Sequence, residues 1–173
     1  KNEVTPEQVH SGSAKKFWWK CPKGPDHDWH EVVHHRTRRG DGCPYCSGHR
    51  VSVSRSLASI HPDIAAQWHP NKNGELFPHQ FLSGSNKKVW WRCHAGPDHE
   101  WQATISHRTG IKTGCPFCSG RTVSDTNSLT TLHPVLAAQW HPTKNHDLTP
   151  DIVSVGSHKR VWWKCDKGPD HEW

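Results

Sequence analysis

The feature that most constrains the fold of this chain is a 72-residue repeat that carries four metal-ligand side chains at fixed spacing. Both complete copies follow the pattern C-x5-H-x15-C-x2-C. The residues are Cys21, His27, Cys43 and Cys46, then Cys93, His99, Cys115 and Cys118. A third copy begins with Cys165 and His171. Such a period predicts an array of similar units rather than one large domain.

The cysteine count favours metal binding over disulfides. The chain has seven cysteines, all at repeat-equivalent positions, and an odd number does not close a disulfide framework. C-x2-C pairs are typical of zinc sites in reducing compartments. We therefore expect an intracellular protein, in the cytoplasm or nucleus. No apolar run reaches transmembrane length, so no membrane partner is expected.

The spacing predicts two closed, tetrahedral zinc sites per chain, built from the eight cysteine and histidine residues above. The histidine ligand has alternatives, because three other histidines of each copy also recur, at 35 and 107, 61 and 133, and 69 and 141. His27 and His99 are favoured because a Gly-Pro-Asp-His turn brings each of them back to its cysteine. Cys165 and His171 form an incomplete metal site without a second C-x2-C. His69 and His141 are expected to cap the end of a helix.

The composition explains why metal is needed. Only 32% of the residues are hydrophobic and the mean hydropathy is −0.89. Units this small and polar bury little apolar surface and usually need a structural metal or a disulfide to be stable. The sequence thus predicts a small, zinc-stabilised α+β fold, with two ligand knuckles, a β-hairpin and a short helix in each unit.

The local pattern places these elements. Aromatic and β-branched residues predict first strands at 15–20, 87–92 and 158–164, and second strands at 29–35 and 101–107. Short extended pieces are expected at 7–9, 79–81 and 151–153. Apolar periodicity from Ser56 predicts a helix over 56–69, interrupted at Pro62, with a copy after Ser128. The predicted domains are 1–50, without its N-terminal helix, 51–120, complete with its zinc site over 93–118, and 121–173, truncated.

Tryptophan and basic residues recur together. All eleven tryptophans lie at repeat-equivalent positions, and strand alternation places one of each Trp-Trp pair inside and one outside. The formal charge of +6 falls to about +4 once two zinc-thiolate sites are counted. A basic stripe beside zinc modules is typical of phosphate contacts. The candidate nucleic-acid contacts are Lys15, Lys16, Lys20, Arg36, Lys87, Lys88, Arg92, Arg108, Lys159 and Arg160. The alternative is an ordinary solvated face.

The chain also resembles a known family. The motifs that carry the resemblance are Ala-Ala-Gln-Trp-His-Pro, Lys-Lys-Val-Trp-Trp-Arg-Cys, Gly-Pro-Asp-His-Glu-Trp and Gly-Cys-Pro-Phe-Cys. They resemble the treble-clef, "probable zinc-ribbon" tandem repeat family over essentially the whole chain. The resemblance implies tandem treble-clef-like units, zinc ligands at the eight positions given above, and a nucleic-acid role. It also implies that such repeats can lie beside nuclease-type domains.

Three functions are compatible with these features. The first is a tandem zinc-binding module that binds nucleic acid, with DNA favoured, mainly through backbone and shape contacts, as the targeting part of a larger protein. The second is a protein-interaction or structural scaffold. The third, an enzyme, is disfavoured, because four protein ligands leave zinc no open position for catalysis. We therefore expect no enzymatic activity.

Overall fold

The structure, a computed structural model, describes all residues from 1 to 173. Four strands form two antiparallel hairpins, β1 (Lys16–Lys20) with β2 (Asp28–Val32) and β3 (Lys88–Arg92) with β4 (Glu100–Thr104). The helices are α1 (Val33–Thr37), α2 (Leu57–Ile60), α3 (Pro62–Ala65), α4 (Ile105–Thr109), α5 (Leu129–Leu132) and α6 (Pro134–Ala137). The predicted small α+β fold of hairpins and short helices is confirmed. No helix is both long and apolar enough to span a membrane.

The chain divides into two compact units, and each unit holds one hairpin. The first unit comprises Lys1–Ala66 and Glu75–Ser85. The second unit comprises Gln67–Gly74 and Asn86–Trp173. Each unit therefore contains one complete C-x5-H-x15-C-x2-C set.

The hairpins place tryptophan at the centre of each unit. In the second hairpin Trp91 lies opposite Trp101, and Val89 lies opposite Ala103. Val89 and Trp91 point inward, and Trp91 is fully buried with its indole N–H donated to the Ala103 carbonyl. Trp90 points to the other face, as the alternation along a strand requires. The prediction that one tryptophan of each pair faces inward is confirmed.

The second strands are shorter than predicted. They end at Val32 and Thr104 instead of continuing to 35 and 107, and α1 and α4 follow directly. The Thr104 hydroxyl accepts a hydrogen bond from the His107 N–H, which caps the start of α4. Ile105 is then buried in the first turn. Side-chain capping and burial thus override the strand pattern at this point.

The predicted helix over 56–69 is two separate turns. Ser56 caps α2 by accepting from the Ser59 N–H. Proline lacks the N–H needed to continue a helix, so α2 stops and α3 starts anew at Pro62. The helical prediction is wrong for Trp68 and His69, which lie in a bridging segment beside β3.

Two further local predictions are wrong. The segments expected to be extended near 7–9, 79–81 and 151–153 instead begin with 3-10 turns, Pro6–Gln8, Pro78–Gln80 and Pro150–Ile152. Each has proline at its first position, where the fixed φ favours a helical turn. The strand expected at 158–164 does not form. The third copy pairs only through reciprocal Trp163–Trp173 backbone bonds and a Lys164–Glu172 bridge.

Candidate metal centre

The first knuckle is a turn that the local sequence builds in every copy. In the second copy the Cys93 N–H donates to the His99 carbonyl at 3.0 Å, and the His99 N–H donates to the Gly96 carbonyl at 3.3 Å. The same two bonds join Cys21 to His27 and His27 to Gly24, at 3.0 and 3.4 Å. This turn returns the histidine to its cysteine at the end of the hairpin.

The second knuckle supplies the remaining ligands and orients the histidine. In Cys-Pro-Phe-Cys, the Ser119 N–H bonds back to the Cys115 carbonyl at 3.2 Å. The Phe117 ring stacks on the His99 imidazole, with centroids 5.0 Å apart and planes inclined by 14°. Tyr45 stacks on His27 in the first copy at 5.2 Å. The aromatic residue between the two cysteines therefore fixes the plane of the imidazole.

The ligand atoms of each tetrad lie within 4.8 Å of one another. In the first tetrad the Cys21 and Cys46 sulfurs are 3.7 Å apart, and the His27 Nδ1 lies 3.7 and 3.5 Å from the sulfurs of Cys43 and Cys46. The second tetrad repeats these three distances. Tetrahedral zinc, with bonds of about 2.3 Å to sulfur and about 2.0 Å to nitrogen, requires separations of about 3.8 and 3.5 Å. Both tetrads therefore fit a zinc ion bound through Nδ1.

The charge balance of the tetrads also calls for a cation. The Lys23 backbone N–H, followed by the His27 side chain, lowers the pKa of the Cys21 thiol to about 7. In the second tetrad, desolvation and then the Cys93 and Cys115 sulfurs raise the pKa of Cys118 to about 12. Three thiolates this close repel one another, so the last proton is held until a divalent cation replaces it.

The second tetrad has a further shell of hydrogen bonds. Because Nδ1 of His99 faces the sulfurs, Nε2 carries the proton and donates to the Thr126 hydroxyl at 3.1 Å. Thr126 in turn donates from its hydroxyl to Asp98 Oδ1 at 2.5 Å and from its backbone N–H to Oδ2 at 3.1 Å. Such outer partners orient a metal-bound imidazole and strengthen its binding.

The first tetrad lacks this bond to its histidine. Ser54 occupies the place of Thr126 and donates to Asp26 Oδ1 at 2.5 Å. His27 is nevertheless fully buried, and its Nε2 has no hydrogen-bond partner. The two zinc sites therefore share ligands but differ in how the histidine is held.

Thr126→Val is expected to weaken zinc binding at the second tetrad by about tenfold, since it leaves the His99 N–H without an acceptor. Ser54→Ala is the matched control, because Ser54 does not bond to His27. Its effect on the first tetrad should be smaller. Competition titration against a chromophoric chelator measures both affinities. Unchanged zinc affinity in Thr126→Val would contradict the role given to Thr126.

The third copy forms only the first knuckle. The Cys165 N–H donates to the His171 carbonyl at 2.9 Å, as in the complete copies. The Cys165 sulfur accepts a hydrogen bond from the Lys167 N–H at 3.4 Å. Neither Cys165 nor His171 belongs to a group of three or more potential ligands.

The alternative histidine ligands lie elsewhere. His35 pairs with Glu31 at 3.1 Å. His69 is buried, donates from Nε2 to Glu100 at 2.9 Å and accepts from the Asn71 and Lys72 N–H groups. His141 repeats this arrangement. The expected cap on the preceding helix is thus wrong, because the imidazole caps the turn that follows it.

The basic candidates separate into two groups. The Arg108 guanidinium is buried over Trp91 and Trp101, at 5.0 and 5.2 Å from their ring centroids, and donates to Gln67. Arg36 is half-buried over the equivalent rings of the first hairpin. These two arginines are packing residues, and we remove them from the predicted nucleic-acid contacts. The other eight, Lys15, Lys16, Lys20, Lys87, Lys88, Arg92, Lys159 and Arg160, are exposed.

Sequence reasoning missed several residues around the tetrads. Gly24, Gly96, Thr126 and the aromatic residue of the second knuckle all act on the histidine. The recurrence of the glycine and of an aromatic residue at the 72-residue spacing was the available signal, whereas Ser54 stands at the position equivalent to Thr126. The 72-residue spacing does not extend to the start of the chain. The Asn2 side chain bonds to the N–H and the carbonyl of Trp18, as the Asn73 side chain does to those of Trp90, so the first copy is one residue shorter in this region.

These observations define a class of protein, a tandem array of closed Cys3His zinc modules on β-hairpins. The model of the family described as "Probable Treble clef zinc finger domain" matches residues 1–49, 64–121 and 136–173. The chain belongs to this family, which confirms the resemblance seen in its motifs and the expectation of two zinc sites. No curated protein matches the chain.

Proposed function

We propose that the outward face of each hairpin binds the phosphate backbone of nucleic acid. One observation supports this proposal above the others. On alternate positions of β1 and β3, two cations flank an outward tryptophan, namely Lys16, Trp18 and Lys20, then Lys88, Trp90 and Arg92. The third copy repeats this order at Arg160, Trp162 and Lys164 without forming the strand. Because alternate residues of a strand share a face, both cations can contact the same ligand. Phosphates are the natural partners of such paired cations.

The cations carry this proposal more than the indoles. The Lys72 ammonium already lies 4.6 Å from the Trp90 ring centroid and is paired with Glu100. Lys144 lies over Trp162 in the same way. One face of each indole is therefore engaged within the protein. The longest helices, α1 and α4, have five residues each, which is too short to read bases along a major groove. This favours contacts to the backbone over base reading by a helix.

The test is binding of the zinc-loaded chain to duplex DNA, single-stranded DNA and RNA across a salt series. Replacing Lys88 and Arg92 by glutamine should weaken binding and reduce the slope of log affinity against log salt by about 2. The matched control replaces Lys23 and Arg39, which are exposed cations outside the strands. It removes the same charge and should change the slope less. Equal slopes for the two variants, or no binding at low salt, would reject the proposal.

The alternative function, a protein-interaction or scaffold module, is supported by one separate observation. The α5–α6 region exposes Leu132, Val135 and Leu136, and Val135 is 79% exposed. A salt-independent association that is lost on replacing Val135 by aspartate would favour it. We also propose that the chain has no catalytic activity of its own, because four protein ligands complete each tetrad.

A further inference from the structure

In the second compact unit, a Gln-Trp-His segment packs along the edge of β3. The Arg92 N–H donates to the Gln67 carbonyl at 2.7 Å, and the His69 N–H donates to the Trp90 carbonyl at 3.1 Å. Between these two bonds, the Trp68 indole meets the Trp91 indole edge-on, with centroids 5.4 Å apart. The segment thus adds a short bridge to the hairpin and covers its central tryptophan.

The third copy repeats this packing with its own equivalent residues. The Lys164 N–H donates to the Gln139 carbonyl at 2.6 Å, and the His141 N–H donates to the Trp162 carbonyl at 3.0 Å. The Trp140 and Trp163 rings again meet edge-on at 5.4 Å. A Gln-Trp-His segment therefore covers the Trp-Trp-Lys/Arg sequence in the same way in both of these copies.

In the first hairpin, the equivalent strand β1 lines an open cavity. Trp18, Trp19 and Lys20 are the counterparts of the strand residues covered in the other copies, and they line a cavity of about 380 Å³. Val4 and Val33 complete its apolar wall. Trp19 is only half-buried here, although its counterpart Trp91 is fully buried. Mainly apolar clefts of this volume are typical of ligand sites.

A guanidinium beside the Trp19 ring also matches the covered copy of the second unit. In the second unit, Arg108 lies over the hairpin tryptophans and donates from Nη2 to the Gln67 side chain at 2.5 Å. In the first unit, Arg36 lies over Trp19 at 5.0 Å from the ring centroid. A glutamine side chain entering beside Trp19 would therefore meet a guanidinium, as Gln67 does.

We propose that this cavity is a docking site for a peptide segment with the sequence Gln-Trp-His. The occupant inserts its indole against Trp19, forms two backbone hydrogen bonds with the edge of β1 and gives its glutamine side chain to Arg36. In this binding mode the peptide adds a short strand to the sheet edge and also buries an aromatic side chain. A buried tryptophan commonly contributes most of the binding energy of such an interface. The site shares Trp18 and Lys20 with the face proposed to contact phosphate, and the variants described below change neither residue.

The probe is a labelled synthetic peptide with the sequence of residues 62–72, titrated against the zinc-loaded full chain and followed by fluorescence anisotropy. We expect saturable binding, and binding at least tenfold weaker for the peptide that carries Trp68→Ala. No binding at concentrations up to about 1 mM, or equal affinities of the two peptides, would overturn the proposal.

Two variants of the protein locate the site. Val4→Asp adds a charge to the cavity wall at a residue that is 40% exposed, and it should weaken peptide binding about tenfold. Val53→Asp is the matched control, because Val53 is 73% exposed and does not line the cavity. Retention of both zinc ions in each variant shows that the fold survives. Equal binding by Val4→Asp and the unaltered chain would place the peptide elsewhere and overturn the proposal.

Discussion

Cys115→Ser is expected to remove one of the two zinc ions and to unfold the second hairpin unit, while the first unit keeps its metal and its structure. Cys115 is a buried ligand of the second tetrad, and its sulfur lies 3.7 Å from the His99 Nδ1. Each compact unit contains its own complete tetrad. Loss of one site therefore does not remove a ligand from the other.

Loss of zinc is expected to unfold the second unit because the hydrophobic core of that unit is small. The second unit buries a few apolar side chains fully or nearly so, among them Val89, Trp91 and Ile105. Structural zinc contributes on the order of 10–16 kcal/mol of apparent binding energy in small modules. A domain is stable by only about 5–15 kcal/mol, so losing the metal is enough to unfold the unit.

Metal analysis and hydrogen exchange measure the two halves of this prediction. Zinc content should fall from two ions to one, and amide protection should be lost in β3 and β4 but kept in β1 and β2. Cys165→Ser is the matched control, since Cys165 lies outside both tetrads. It should retain two zinc ions and full protection. Two tightly bound ions in Cys115→Ser, or three in the unaltered chain, would contradict the assignment of the sites.

The metal sites were the most predictable part of this molecule, for a physical reason. Coordination fixes residue type and spacing together, and the two copies repeat both. The turn from Cys93 to His99 forms by local hydrogen bonds alone, and the incomplete third copy forms it as well. Local chemistry of this kind can be read directly from the sequence.

Features that depend on tertiary contact were less predictable. Arg108 has the sequence context of a surface cation, but it is buried because two tryptophans and Gln67 surround its guanidinium. His69 follows a helical pattern, but its place is set by hydrogen bonds to Glu100 and to the turn that follows it. Composition and periodicity do not indicate which residues these two side chains contact. The bond from His99 to Thr126, across 27 residues, was equally beyond local pattern.

Gly24→Ala and Gly96→Ala are each expected to weaken zinc binding at their own tetrad on the order of a hundredfold. A Cβ atom at Gly24 would lie 2.6 Å from Cδ2 of His27. One at Gly96 would lie 2.8 Å from both His99 Cδ2 and the Thr126 hydroxyl. Real Cβ contacts are not this short, so the imidazole must move, and overpacking of this kind costs about 1–3 kcal/mol.

The imidazole has little room to move without losing the metal. His99 is held between the Phe117 ring on one side and the Gly96 backbone on the other. A shift that relieves the new methyl group rotates Nδ1 away from the two sulfurs it faces. The Gly-Pro-Asp-His turn therefore needs glycine for close approach to the imidazole, since neither glycine has a positive φ that would require it.

Gly42→Ala and Gly114→Ala are the matched controls. Each glycine directly precedes a zinc-binding cysteine, yet an added Cβ would meet no atom within 4 Å and φ is not positive. Chelator competition should therefore give near-normal zinc affinity for these two variants and a large loss for the other two. Equal losses in all four would show that any added methyl group near a knuckle disturbs the site. Close approach to the imidazole would then not be the reason why Gly24 and Gly96 are needed.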